Sequence, residues 1–558
     1  MIGNFISSLF GSIQLNRSPT AAKLLVESVR RLHLQSEQNL DHRFSLSGWT
    51  LISVLLALGL FFRFGNLDKK IYWYDEMLTS FRIAGYSATE LKERPFSTHE
   101  ISVQALQKYQ RINPERTLLH TIRFQAMENP QHPPLYFVLA RVWAELFGDS
   151  TRAIRGLSAF LSLLVFPSLY WLCRELFDLP RIAWMAIVLT AVSPFQVLYA
   201  QEARPYSLWI LMTVISSAAL LRALRLDSWR SWGLYGLTLA GGIYSHLLFS
   251  LVALGHGIYV FTLEKGAFKK FLPYLVSSIV ALVFFFPWAV AILFGVSRVQ
   301  SATGWIRVTE VGFLDKLKLW PFVFNVGFVD TSWIYVLRAS YGADTSWVYL
   351  LQLPALLLIG YSLFFIYQKA ANRIWLFVLA LIGSSVMPLL LSDLTLGWQI
   401  STLPRFLTPY YLGGLLSVAY LLSAKTLAPD LSQRRLWKAI SVIAIASGVV
   451  SCAIISQAET WWNKGFSNPQ LARVINQYHR PLLIAPLDTF VDVLSLTNVL
   501  DPKVRIRMVA DPKKLIIPDG FSDIFLISSE RNRQWLERSS YRIEAVYGSE
   551  LWRVTKKP

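Results

Sequence analysis

The sequence predicts an all-α polytopic membrane protein with a small α/β domain at its C-terminal end. Composition is the first sign: of 558 residues 54% are hydrophobic, with 35 Phe and 20 Trp, and 16% are charged, against roughly 25% in soluble proteins. Periodicity is the second: apolar stretches of about 18 to 23 residues recur between Gly48 and Gln457, a length that crosses a bilayer as helix. The third is a change of pattern after residue 458, where short β-like runs replace the long apolar ones. A net charge of +19 would suit a nucleic-acid binder, but the basic residues sit in short loops between spans, where the positive-inside bias puts them. No nucleic-acid partner is therefore expected, and the bilayer is the partner the charge pattern describes. The two cysteines, Cys173 and Cys452, fall in or beside spans on opposite sides, so no disulfide, zinc site or thiol motif is implied. The first apolar run begins near residue 48, and no cleavable signal peptide is evident before it.

Residues 1–47 are basic, and Ile2, Phe5, Ile6, Leu9, Phe10 and Ile13 share one helical face, which suits an interfacial helix on the cytoplasmic surface or a disordered tail. Residues 48–457 form the transmembrane domain. Its first span, 49–64, leads out to a large outer loop at 65–152, with a capping box at Ser87-Ala88-Thr89-Glu90 and weak helical periodicity over 101–109. The segment from Leu135 to Phe147 is short and carries Arg141 and Glu145. It reads as a helix lying in the outer interface, its start fixed by His132, Pro133 and Pro134. Spans then follow at 154–172, 183–200, 207–223, one ending near His246, one returning to Lys265, 271–294, one returning to Lys369, one ending near Asp393, 406–422, and one ending near Gln457. A second large outer loop occupies 295–345. With about eleven spans every basic inter-span loop is cytoplasmic, the N-terminus is cytoplasmic, and residues 458–558 form an extracytoplasmic α/β domain. In that domain Pro481 to Pro486, Val504 to Val509 and Ile524 to Ile527 are strand-like, and Asp488 to Val499 is helical.

The unusual polar residues converge on the outer ends of the spans. Asp75 and Glu76 stand side by side among aromatics in Ile71 to Ser80. Acids beside a bilayer are costly unless solvated, paired or working, although an acidic first helical turn is a plain alternative. The turn Tyr199-Ala200-Gln201-Glu202-Ala203-Arg204-Pro205-Tyr206 carries an acid, a guanidinium and two tyrosines. A helix-end salt bridge between Glu202 and Arg204 is its bland reading. His246 ends another span, as an interfacial histidine or a site residue. Arg405, in Leu403-Pro404-Arg405-Phe406-Leu407-Thr408-Pro409, opens a late span as an anchor or a ligand. Taken together, carboxylates that can accept a hydroxyl proton and arginines that bind phosphate bidentately, set among apolar helices, suit chemistry on a lipid phosphate.

At these residues the chain resembles the integral-membrane glycosyltransferases of the GT-C fold, closest to the family 39 branch of protein O-mannosyltransferases and lipid A aminoarabinose transferases. The resemblance rests on Asp75-Glu76, on His132-Pro133-Pro134-Leu135-Tyr136, on the 199–206 turn and on Arg405 with Pro409, and covers about residues 48–423. It implies a polyprenyl-phosphate sugar donor, a hydroxyl acceptor on a protein, lipid or polysaccharide, and inversion at the anomeric carbon. Asp75 is then the catalytic base and Glu76 orients it or the acceptor. Arg204 and Arg405 hold the leaving phosphate, and His132, Tyr199, Tyr206 and His246 line the substrate pocket. Glu202 stands where relatives use a second acid, in some cases near a divalent metal ion. Gln201-Glu202 departs from an Asp-x-Asp pattern, so a metal at Glu202 stays open. The alternatives are a transporter or flippase for a lipid-linked sugar, which would carry mid-membrane charges and an inverted repeat, and a non-catalytic assembly partner.

Overall fold

The computed structural model describes residues 46–87, 90, 99–308, 311–334, 347–462, 464–509, 520–527 and 541–556. The amphipathic pattern of residues 2–13 lies outside them. The long helices are α1 (Leu46–Phe64), α5 (Thr151–Leu176), α8 (Tyr206–Leu226), α11 (Phe268–Phe294), α13 (Val348–Lys369), α14 (Asn372–Thr395) and α16 (Leu431–Gln457), each long and apolar enough to cross a membrane. The pair α6 (Pro180–Ala191) and α7 (Pro194–Ala200) makes an eighth crossing, bent by 60°. The protein is thus an integral, multi-pass membrane protein. The three remaining expected spans coincide with α9 (Trp229–Ser245), α10 (Phe249–Leu263) and α15 (Thr408–Lys425), of 17, 15 and 18 residues. Length and composition do not by themselves make these three spans, so the expected count of eleven is not established.

Shorter helices build the loops at one end of the bundle: α2 (Tyr74–Ala84), α3 (Leu118–Glu128), α4 (Leu135–Phe147) and α12 (Phe313–Asn325). Helix α4 has 13 residues, about 20 Å at 1.5 Å per residue, short of a roughly 30 Å hydrocarbon core. Its buried Arg141 donates to the carbonyls of Ile83 (2.7 Å) and Arg116 (2.6 Å) and to Glu145 (2.6 Å), tying α4 to the first loop. The capping pair of Ser87 and Glu90 forms at 3.4 Å in both directions.

The α6–α7 break has identifiable supports. Pro194 cannot donate a backbone hydrogen bond, and the carbonyls released there need partners. Arg63 donates to Thr190 O (2.9 Å) and Ala191 O (2.8 Å), and the Cys452 thiol to Val192 O (3.3 Å). Glycines let both neighbouring helices approach: a Cβ at Gly59 would meet that of Ala191 at 2.8 Å, and one at Gly448 would meet Val192 O at 2.5 Å. The break aims α7 and the turn after it toward the end of the bundle.

The C-terminal part contains α17 (Asn468–Ile475), α18 (Phe490–Leu496) and five strands: β2 (Pro481–Pro486), β3 (Arg505–Val509), β4 (Asp523–Ile527), β5 (Tyr541–Tyr547) and β6 (Leu551–Lys556). A sixth, β1 (Ile101–Ser102), comes from the first large loop, and the sheet order is β1-β3-β2-β4-β6-β5. Strand β2 runs parallel to β3 and β4, and β1 pairs antiparallel to β3, Ile101 opposite Ile506. Both faces of β2 are buried, Leu483 and Ala485 on one core and Leu482 and Ile484 on another, as its unbroken apolar run suggests. The larger core is continuous from the membrane helices through Met77 and Phe81 to Leu471, Phe490 and Phe525. The C-terminal sheet and the first loop therefore pack as one body against the bundle; the weak helical pattern of 101–109 forms a short helix at Val103–Gln107 and a 3-10 turn at Lys108–Gln110, and only its first two residues join the sheet as β1.

Candidate active site

Helix α2 sets the first two site residues. It starts at Tyr74 after an extended Trp73, with Asp75 and Glu76 in its first turn, where the helix dipole favours anions. Adjacent helical residues point about 100° apart, so the two acids face different surroundings. The Glu76 side chain is 0% exposed and that of Asp75 21%.

Glu76 points inward to Arg155 of α5. Arg155 Nε donates to one Glu76 oxygen at 2.8 Å and Nη2 to the other at 2.6 Å. Nη1 donates to Leu67 O (2.6 Å) and Lys70 O (3.0 Å), and Nη2 also to Ile71 O (2.9 Å). All five guanidinium donors have partners, and the Ala203 amide adds a bond to Glu76 at 2.8 Å. This buried pair locks the start of α2 to α5 and to the 201–205 turn. It leaves Glu76 no oxygen directed at an acceptor.

Asp75 turns the other way. Its Oδ2 lies 3.2 Å from Arg405 Nη1 and 3.8 Å from Arg204 Nη2. Arg204 Nη1 donates to Asp75 O (3.1 Å) and Thr79 Oγ1 (3.3 Å). The Nε groups of both arginines are buried and have no hydrogen-bond partner among the described residues. Buried donors without partners are uncommon and call for an occupant. Arg405 is brought here by a turn built on the buried Asp393, which accepts from Ile400 N (2.8 Å), Ser401 N (2.8 Å) and Ser401 Oγ (2.6 Å).

The remaining expected residues gather around this cluster. Tyr199 and Tyr206 pack with ring centroids 4.7 Å apart, Tyr206 lies 6.1 Å from His246, and His246 stacks flat on Trp209 at 4.2 Å. Burial, then Arg204 and Arg405, push His246 down to about 3. Burial, then Arg204, His246 and Arg405, hold His132 well below the usual imidazole range. Both rings are thus neutral hydrogen-bonding groups rather than proton donors of ordinary strength. Gln201 has both ends of its amide engaged within the protein. Its amide donates to Phe62 O (2.7 Å) and Gly65 O (2.8 Å) at the end of α1, while its oxygen accepts from Lys70 at 2.6 Å. Burial, then Arg155, push Lys70 from 10.5 down to about 7.

Glu202 does not pair with Arg204, the bland sequence alternative. Its Oε1 accepts from Lys464, and its buried Oε2 has no partner among the described residues. Burial pushes the Glu202 pKa up and that of Lys464 down, and their mutual attraction opposes both shifts. Lys464, the residue that sequence reading missed, follows α16. It lies near the rings of Tyr199 (4.9 Å), Trp73 (5.0 Å) and Trp462 (5.2 Å). The adjacent Trp461 and Trp462 at the mouth of the last span were its available signal. Beside the cluster opens a cavity of about 680 Å³, lined among others by Trp73, Tyr199, Phe322, Arg405, Trp462 and Lys464. That volume lies in the range of small-molecule sites.

A divalent cation fits these residues poorly. Asp75 is engaged by two guanidiniums and Glu202 by an ammonium. No group of three or more His, Cys, Asp or Glu converges among the described residues.

Comparison with solved structures shows the fold. The structure is similar to the crystal structure of ArnT from Cupriavidus metallidurans bound to undecaprenyl phosphate, with a TM-score of 0.52 and 14% identity over 91% of this chain and 98% of that one. It is similar to the apo state of the same protein with a TM-score of 0.50, at 14% identity and the same coverage. The apo oligosaccharyltransferase of Archaeoglobus fulgidus matches at a TM-score of 0.47 and 12% identity, over 84% of this chain and 65% of that chain. The fold is the GT-C fold of integral-membrane glycosyltransferases. In sequence, residues 131–290 match the dolichyl-phosphate-mannose-protein mannosyltransferase family, which bears out the resemblance to the family 39 type. A sequence comparison with curated proteins finds no match.

Proposed function

We propose that this protein transfers a sugar from a polyprenyl-phosphate donor to an acceptor hydroxyl, at the extracytoplasmic end of its helices, with inversion of the anomeric centre. The observation that carries this is a carboxylate held loosely between two arginines whose buried Nε donors lack partners among the described residues, beside a cavity of about 680 Å³. Arginine is suited to planar, bidentate recognition of phosphate. On donor binding Arg204 and Arg405 shift part of their hydrogen bonding from Asp75 to the phosphate, which frees Asp75 as a base. The acceptor hydroxyl gives its proton to Asp75 as its oxygen attacks the anomeric carbon. The bond from that carbon to the phosphate oxygen breaks, and the polyprenyl phosphate leaves with the electron pair. The arginines stabilise the charge that develops on it. His132 and His246 offer neutral imidazoles to sugar hydroxyls, beside Tyr199 and Tyr206. Glu76 acts through Arg155 as a positioning residue. The ArnT structure holds undecaprenyl phosphate, which accords with a carrier-lipid donor here.

Mass spectrometry of lipids co-purified with the wild type and with Asp75→Asn tests the proposal. A polyprenyl-phosphate sugar retained by the variant and depleted in the wild type is expected, and its mass names the sugar. If neither protein holds a polyprenyl phosphate, and donor lipids added in detergent bind to neither, the carrier-lipid donor is wrong.

A further inference from the structure

We infer that Lys464, delivered by a tryptophan latch from the segment after the last span, is a third cationic ligand of the donor phosphate. The inference rests on the polyprenyl-phosphate reading above. Charge balance is its first support. At the open cluster the cations Arg204, Arg405 and Lys464 face the acids Asp75 and Glu202, while Glu76 and Arg155 cancel one another and Lys70 bonds to Gln201. With Lys70, bonded to the neutral Gln201, adding part of a positive charge, the cluster is at least one negative charge short, and the phosphodiester that links a sugar to a polyprenol carries one. When the sugar departs, the monoester left behind holds more negative charge, about −1.5 to −2 near neutral pH. A third cation therefore favours the leaving group over the bound donor, the differential effect that accelerates a reaction.

Placement is the second support. Lys464 and Arg405 line the same cavity. An ammonium has three donors, and among the described residues the Glu202 carboxylate is its one hydrogen-bond acceptor. Ring faces at 4.9–5.2 Å surround the rest of the group.

The latch is the third. Trp461 and Trp462 both donate their indole N–H to one oxygen of Asp330, at 2.7 and 2.8 Å. The other Asp330 oxygen accepts from Ser332 N at 2.8 Å, and the Asp330 amide donates to Ser451 of α16 at 3.0 Å. Between the indoles and Lys464 the chain turns sharply: Lys464 N donates to Trp461 O at 3.0 Å, Trp462 has φ +51° and Gly465 φ +63°. A tryptophan in the left-handed region is strained, and such strain persists where surrounding contacts over-determine it. Here the result of the turn is an ammonium placed at the cavity wall.

The test compares binding of undecaprenyl phosphate with binding of uncharged undecaprenol to purified full-length protein in detergent. The proteins are the wild type, Lys464→Met, Lys464→Arg, and Lys464→Met combined with Glu202→Gln, which removes the pair together and leaves no buried unpaired acid. The wild type prefers the phosphate. Loss of one charge-assisted bond should cut that preference by about tenfold or more in both Met variants, and Lys464→Arg should retain most of it. If the double variant keeps the wild-type preference within about twofold, Lys464 is only the counter-ion of Glu202 and the inference is wrong while the carrier-lipid proposal stands. If the wild type itself shows no preference for the phosphate, both fall together.

Discussion

The Glu76–Arg155 pair and the Asp75–Arg204–Arg405 cluster are separated by one peptide bond and use the same two functional groups. In the first, every guanidinium donor is matched and both carboxylate oxygens are taken. In the second, one carboxylate faces two arginines at 3.2 and 3.8 Å, and each arginine keeps a buried N–H without a partner among the described residues. A closed pair fixes architecture, because nothing can enter without breaking it. An open cluster is incomplete, and a ligand can complete it. Neighbouring acids thus separate into a closed pair and an open cluster through the direction each leaves the helix, and the proposed chemistry falls to the open one.

Removing the charge from each acid in turn separates the closed pair from the open cluster. Asp75→Asn should lower turnover by about 10²- to 10⁴-fold, the usual contribution of a general base, with little change in thermal unfolding. An equal loss of stability would mean that Asp75 is architecture too. Glu76→Gln should act in the opposite sense. It strands Arg155 as a buried, uncompensated charge, which costs about 3–5 kcal/mol, so melting temperature and yield should fall steeply. Turnover per folded molecule should change far less. A Glu76→Gln protein that is stable but inactive would overturn the assignment to positioning.

The smallest effect concerns Lys70, which stands between the two regions. In the unfolded chain its ammonium keeps its proton up to 10.5, while burial and Arg155 bring the folded value to about 7. Between those values the unfolded state binds more protons, so stability rises with pH across that window and is flat below about 7. The slope is at most about 1.4 kcal/mol per pH unit. Melting curves from pH 7 to 9 should show this rise in the wild type and lose it in Lys70→Gln. A wild-type slope unchanged by the substitution would assign it to another group.

The fold was legible because its main signals are local. Apolar runs of bilayer length and the β2, β3 and β4 strands each follow from consecutive residues, whereas the 60° bend before Pro194 falls inside what reads as one span, 183–200. The expected outer-end residues are also close in space: Asp75, His132, Glu202, Arg204, Tyr206, His246 and Arg405 surround one another. Topology made that visible, since spans that alternate direction bring their odd-numbered ends together. Other features have no local signal. Strand β1 has two residues and exists only because β3 offers an edge. Arg155 lies inside a long apolar helix, and its partner is 79 residues away. Lys464 is one lysine among 54 basic residues until Asp330 gathers the two tryptophans before it.

By itself the sequence determined that this chain crosses a membrane many times, which ends of its helices carry acids and arginines, and that a mixed α/β segment follows. Those properties depend on period, length and composition, which are written along the chain. Tertiary structure alone decided which acid is closed and which is open, that Glu202 pairs with Lys464 rather than Arg204, and that the C-terminal segment lines the cavity. The physical reason is that a charge takes its character from its partners. Here the partners come from helices, loops and a latch up to 330 residues apart, and only packing brings them within hydrogen-bond reach.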